Sequence, residues 1–171
     1  MEKKPIALDA VDLQLLQALQ QDASQSNHAL AQALGLSPPT CLRRVRRLQE
    51  SGLIERQVAL LQPERLAAAL GHGLQAIVEV SLDRQDSASL DAFEARAVAH
   101  EAVQQCWRVS SGPDFILVLA AIDMPSFLQI GQGLFTSDAN VRNVKNFFSI
   151  KRAKFSTAMP LPGPAAPPHQ A

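Results

Sequence analysis

Three short helical patterns, followed by a change to two-residue apolar alternation, predict an α+β chain: an N-terminal winged helix-turn-helix and a C-terminal ferredoxin-like βαββαβ domain. The most telling stretch runs from Leu36 to Ile54, L-S-P-P-T-C-L-R-R-V-R-R-L-Q-E-S-G-L-I. At about 100° per residue, Cys41, Leu42, Val45 and Leu48 gather on one side of a helix, while Pro39, Thr40, Arg43, Arg46 and Arg47 gather on the other. One face suits a core and the other suits an anion.

The elements follow in order. Asp9 reads as a helix N-cap, with Asp12 three residues on in a variant of the capping box and Leu8 and Leu13 at the staple positions. The first helix is expected over Ala10 to Gln20, with Val11, Leu15, Leu16 and Leu19 as its apolar stripe. A second, short helix starts near Ser26 or Asn27, buries Ala29, Leu30, Ala33 and Leu34, and stops at Gly35, which suits a left-handed position. Ser37 then caps a third helix, with Pro38 and Pro39 at positions whose missing N–H groups have no intrahelical partner to lose. So short a connection between two helices is that of a helix-turn-helix. Gly52 ends the third helix, and Ile54 to Leu61 reads as an extended segment, a small wing.

Pro63 to Gly73 holds a short Ala/Leu-rich helix and a glycine pair around His72, which places the domain boundary there. Beyond it Ala76, Val78, Val80 and Leu82 alternate as a strand, and Leu90, Phe93, Ala97 and Val98 repeat as a helix. A strand over Val103 to Ser110, a turn at Ser111 to Asp114 and an apolar strand from Phe115 to Ile122 come next. Asp123 caps a helix with Phe127, Ile130 and Leu134 inward, Val141 to Ile150 forms the fourth strand, and a further edge strand is expected over Lys154 to Met159. That order is the split ferredoxin-like arrangement, an antiparallel sheet with two helices on one face. The chain has no further helix for the other face, so a homodimer through it is the economical expectation. The expected domains are residues 1–61, a linker over 62–73, the second domain over 74–161 and a disordered tail over 162–171.

Formal charge is zero, 16 Lys and Arg against 16 Asp and Glu, so any attraction to nucleic acid must be local. The arginines at 43, 44, 46 and 47 supply that locality. Cys41 and Cys106 fall in different domains and inside regular elements, which argues for free thiols in a reducing compartment. With no signal peptide and no apolar run of membrane-spanning length, the expected location is the cytoplasm, without membrane association.

For an isolated basic run a solvated face is the ordinary reading. Here the arginines stand outward on the second element of a helix-turn-helix, right after a Ser-Pro start, and few acidic residues besides Glu50 are at hand for intrahelical pairing. Double-stranded DNA is therefore the expected partner. Arg43 and Arg47, one turn apart, are chosen for groove contacts, Ser37 and Thr40 for phosphate, with Pro39 and Arg46 on the same face. Arg44 lies nearer the flank, bonded to a phosphate or to an acidic neighbour.

Together these elements resemble the Lrp/AsnC family of feast-famine transcription regulators, from Leu8 to Leu161. The motifs that carry the resemblance are L-D-A-V-D from Leu8 to Asp12, L-S-P-P-T-C-L-R-R-V-R-R-L followed by E-S-G-L-I, and K-F-S-T-A-M-P-L from Lys154 to Leu161. The resemblance implies dimers that often associate into octamers and a small-molecule effector, usually an amino acid, bound between subunits. It further implies that two regions border the effector: the turn with Ser111, Gly112 and Asp114, and the fourth strand with Val144 and Asn146. The chain departs from the family in both. Ser111 stands at a usual glycine and Phe115 at a usual tyrosine, while Val144 and Asn146 stand where many members place threonines. Asp114 has an equally simple reading as turn chemistry after Gly112-Pro113.

Trp107 is expected in the core or a dimer interface. His28, His72, His100 and His169 lack metal-ligand spacing, and no nucleophile elbow or phosphate-binding glycine loop occurs, so neither a metal, a cofactor nor an enzyme activity is expected. The rival of another class is a tetrapyrrole (sirohaem-type) decarboxylase sharing the fold. Its pocket would want converging histidine and arginine, where this chain offers mainly Arg108, Arg142 and Val144. A broad-specificity nucleoid-organising DNA-binding protein is a third reading.

Overall fold

In the N-terminal part three helices form because each has a start signal and an apolar stripe, and each in turn meets a stop. The computed structural model describes residues 6–71 and 73–162. The chain divides into two compact units, the described parts of Met1–Ala59 with Lys154–Ala171, and Leu60–Ala153. The tail expected over 162–171 lies outside the described residues beyond 162, as do His72 and His169.

In the first unit α1 spans Ala10–Gln21. Its capping box closes reciprocally, Asp12 N donating to Asp9 Oδ1 at 2.9 Å and Asp9 N to Asp12 Oδ2 at 3.1 Å. Helix α2 (Asn27–Ala33) begins where Ser26 Oγ accepts from Ala29 N at 3.2 Å, and the chain leaves it through Gly35 at φ +63°. It buries Leu30 and Ala31, not the expected Ala29 and Ala33, which stay exposed. With so few residues the contact face is set by where α3 meets α2, and Leu30, Ala31 and Leu34 share that side. Helix α3 spans Pro38–Glu50 and contributes Cys41 and Leu48 to a core with Leu15, Leu30 and Ala31. Asn27 Nδ2 donates to the Pro38 carbonyl at 2.9 Å, bracing the start of α3 against α2.

Two further expectations for this unit need correction. Ser37 takes the N-cap backbone position, but its hydroxyl donates to Thr40 Oγ1 at 2.8 Å and caps no backbone N–H. Pro39 removes one of the two N–H groups to which such a cap could bond. The extended wing segment after Ile54 pairs with no strand among the described residues, and Val58, Leu60 and Leu61 are exposed. Lys154 to Met159 forms no edge strand either. Instead the Gln20 side-chain amide bonds the Met159 backbone in both directions at 2.9 Å, which fastens this segment to α1.

The second unit opens with α4 (Pro63–Leu70), which buries none of its residues. Strand β1 (Leu74–Leu82) is flanked by β3 (Phe115–Ala121) and β4 (Val141–Phe148), with β2 (Val103–Arg108) outside β3. The order β2-β3-β1-β4 is antiparallel throughout. Helices α5 (Ser87–Ala99) and α6 (Met124–Gly131) cover one face, where Val78, Val80, Leu117 and Leu119 pack with Phe93, Ala97 and Phe127. Val98, expected inward, is exposed, because the Leu90, Phe93, Ala97 stripe turns away from it.

The other face carries two apolar-centred rows fixed by the register: Trp107, Ile116, Glu79, Lys145 and, beside it, Gln105, Val118, Ile77, Phe147. Trp107 alternates with the helix-facing Cys106 and Arg108, so it is 59% exposed on the uncovered face and not in the core.

Candidate functional site

Helix α3 sorts its side chains into three stripes at helical spacing, and the stripes have different neighbours. Cys41, Val45 and Leu48 face the core. Thr40, Arg44 and Arg47 run along a second line, and its two arginines turn toward the start of α1. Arg44 Nη1 donates to Asp9 Oδ2 at 2.7 Å and to Asp12 Oδ1 at 2.8 Å, while Arg47 Nη2 pairs with Asp12 Oδ2. Pro39, Arg43 and Arg46 form the third stripe, which is exposed. Among the described residues Arg43 and Arg46 make no ion pair. Ser37 is also exposed, at the helix N-terminus.

Of the seven basic-face candidates, Ser37, Pro39, Arg43 and Arg46 thus stand exposed on the outer side, Thr40 is half-buried beside Ser37, and Arg44 and Arg47 are held by acidic neighbours of another helix. Arg44 thus takes the acidic neighbour that its flank position allows, whereas the Asp12 pairing of Arg47 is not among the sequence expectations. Its signal was there: a capping-box Asp uses one oxygen on its own helix and leaves the other free for a cation.

Asp12 is fully buried. Burial opposes its ionisation, but the Asp9 N–H and the Arg44 and Arg47 guanidinium groups outweigh that and hold the carboxyl below the usual aspartate range. The Asp12 N–H, then Arg44, lower Asp9 too. Both groups bind protons more weakly folded than unfolded, so their contribution is present above the ordinary aspartate pKa, about 3.9, and is lost as pH falls below it. Thermal unfolding of the full chain between about pH 6 and pH 3 should show this loss, and Asp12→Asn should flatten the acid limb.

In the second unit a cavity of about 330 Å³ opens between α6 and β4. Phe127 and Phe135 are its buried floor, and Leu128, Gly131 and Val144 complete the apolar wall. Gln132, Thr136 and Asn146 form an exposed polar rim. A single π-helical turn, Gln132–Thr136, continues α6 and supplies Gln132, Phe135 and Thr136 to the lining. A wider turn leaves carbonyls without their usual partners; here Arg96 reaches the Leu134 carbonyl at 3.5 Å and pairs with Asp138.

Of the effector candidates, Val144 and Asn146 line this cavity, and Ser111, Gly112 and Asp114 do not. Strand β1 lies between the two groups, since Val80 pairs with Val144 on one side and Phe115 on the other. The Asp114 carboxylate accepts from Leu82 N at 2.7 Å, and Asp114 N donates to the Val80 carbonyl at 2.9 Å, so the residue fastens the β3 turn to β1. Ser111 and Gly112 are exposed in the turn, Gly112 at φ +84°. Phe127, Gln132, Phe135 and Thr136 were not foreseen, because a π-helical turn has no side-chain period of its own; Gly131 and Gly133 in a helical run were the available hint.

Arg108 is paired with Asp91 and Glu94, both at 2.7 Å. Among the described residues no His/Cys/Asp/Glu group could hold a metal ion, and no helix is long and apolar enough to cross a membrane. Both cysteines are free, and burial pushes the Cys41 thiol up.

Comparison with known proteins gives these two units a common context. Residues 8–55 match the family described as winged helix-turn-helix DNA-binding, and residues 75–159 match the Lrp/AsnC ligand binding domain. The chain is 39% identical to a leucine-responsive regulatory protein of Rhizobium meliloti over 87% of this chain and 93% of that one. It is 34% identical to the Bkd operon transcriptional regulator of Pseudomonas aeruginosa over 90% and 98% of the two chains. Among solved structures, a Neisseria meningitidis transcriptional regulator in complex with L-Met superposes with a TM-score of 0.79 at 30% identity, covering 90% of this chain and 97% of that one. The double match, DNA-binding helix-turn-helix and ligand-binding sheet domain in one chain, makes this protein a DNA-binding transcriptional regulator of the Lrp/AsnC family.

Proposed function

We propose that the Pro39, Arg43, Arg46 stripe of α3, with Ser37 and Thr40 at its start, is the surface that contacts operator DNA. The observation that carries this is the division of labour among the four arginines: two are held by Asp9 and Asp12, and two are exposed without ion pairs. Arg43 and Arg46 bond base edges or phosphates, Ser37 and Thr40 bond phosphate, and Arg44 and Arg47 fix the presentation of α3. Arg47 keeps a side-chain exposure of 45%, enough to reach a phosphate from its Asp12 pair.

The working unit is a homodimer formed through the uncovered sheet face, where Trp107, Ile77 and Phe147 are exposed, and dimers assemble further into octamers. Two copies of α3 then meet a pseudo-palindromic site with half-sites about 10 bp, or a multiple, apart. An amino acid is the effector, held at the cavity rimmed by Asn146 beside Val144, with the Ser111 to Asp114 turn contributing across subunits; the Neisseria relative's complex with L-Met supports this class. The effector acts by favouring one assembly over another, to the extent of its differential affinity for the two. The protein works in the cytoplasm and catalyses no reaction.

The test is selection of bound genomic fragments by the purified protein, repeated with a panel of amino acids. A discrete palindromic motif whose occupancy changes with one or a few amino acids is the expected result. Equal capture of random duplex at physiological salt would instead make the protein a broad-specificity nucleoid organiser.

A further inference from the structure

We propose that Leu42 is a specificity-determining residue of the operator surface: it packs on the 5-methyl group of a thymine in each half-site, beside the groups bonded by Arg43 and Arg46. This rests on the reading of α3 above and names the base that one edge of that surface takes. The helical pattern puts Leu42 on the core side with Cys41, Val45 and Leu48. The structure leaves it 40% exposed, and among the described residues the core of Leu15, Leu30, Ala31, Cys41 and Leu48 is built without it. A leucine alone on a surface needs no explanation. The place of this one gives it a use.

At 3.6 residues per turn Leu42 stands about 40° from Arg46 and about 60° from Pro39, but about 140° from Arg47 and about 160° from Arg44. The exposed Pro39, Arg43, Arg46 stripe is therefore bordered on one side by the arginines that Asp9 and Asp12 hold, and on the other by Leu42. Leu42 also lies in the N-terminal half of α3, the half that a recognition helix turns toward base edges. Its partner there follows from groove chemistry. In the major groove the apolar group that a base pair presents is the thymine methyl, whereas the remaining edge groups are donors and acceptors that an aliphatic side chain would desolvate without replacing their hydrogen bonds. Arg43 and Arg46 supply the charge that holds the helix in the groove, and Leu42 adds a preference that charge cannot carry.

Selection from a random duplex library by the full-length protein, followed by fluorescence anisotropy on the most enriched duplex, tests this. The wild type should enrich a thymine in each half-site. Replacing it by deoxyuridine, which removes only the methyl, should weaken wild-type binding about 3-fold or more, as expected for one buried methyl group. Leu42→Ala should lose that discrimination, and Leu42→Met, still apolar and long, should keep it. Should Leu42→Ala unfold, Leu42→Gln, a good helix former with a polar end, takes its place. Deoxyuridine bound as tightly as every enriched thymine by the wild type, or the same loss on deoxyuridine in the variant as in the wild type, would overturn the inference and leave the Arg43 and Arg46 surface standing. A library that yields no motif at all would overturn the specific-operator reading itself.

Discussion

Asp12→Ala should destabilise the helix-turn-helix unit by about 3 kcal/mol. Asp12 is fully buried, accepts the Asp9 N–H and receives Arg44 and Arg47. Removing its carboxylate takes away one arm of a capping box and leaves the Arg44 guanidinium, only a quarter exposed, with Asp9 alone. The cost combines the lost capping arm with the loss of the buried partner of Arg44, which keeps only the half-exposed Asp9. Urea denaturation followed by far-UV circular dichroism reads the loss. Asp12→Asn keeps an acceptor for the Asp9 N–H and should cost less. A change below about 1 kcal/mol for Asp12→Ala would mean that the carboxylate is not what joins α3 to α1.

The second large effect concerns binding rather than folding. Arg43→Ala should weaken operator affinity by about 1–3 kcal/mol if the guanidinium reads a base edge, and Arg46→Ala should do the same or reduce the salt slope by about 1 if it meets phosphate. Neither residue is paired within the described chain, so both variants should keep the wild-type unfolding midpoint. That sets them apart from Arg44→Ala, whose binding loss should track a loss of stability. Arg43→Lys sharpens the reading, since it keeps the charge and removes the planar fork that a guanine edge requires. Fluorescence anisotropy on the selected operator at several salt concentrations measures all four variants. Unchanged affinity in the Arg43 and Arg46 variants would move the interface off this stripe.

Both effects trace to α3, and α3 also shows how far a sequence can be read. Its bounds, its proline start and the Cys41, Val45, Leu48 part of its apolar stripe follow from local spacing and glycine placement, although Leu42, expected on that side, is exposed; the alternation of Ala76, Val78, Val80 and Leu82 in β1 follows likewise. The partition of its arginines does not, because Asp12 lies 32 residues from Arg44 and the pairing depends on how two helices cross. Ile54 to Leu61 is extended as its pattern implies, and among the described residues no strand pairs with it. Lys154 to Met159 was matched to a sheet edge and found α1 instead, through Gln20. The cavity was half visible: Val144 and Asn146 were singled out by departures in β4, but their opposite wall depends on a π-helical turn that no periodicity announces. Asp114 was singled out too, and its carboxylate is occupied by the Leu82 N–H.

A structure of the protein on its selected operator tests the central claim most directly. Two copies of α3 should lie in successive major grooves, with Arg43 and Arg46 within hydrogen-bonding distance of DNA and Arg44 still on Asp9 and Asp12. An α3 whose Pro39, Arg43, Arg46 stripe faces protein or solvent in the complex, while another surface meets the duplex, would contradict it.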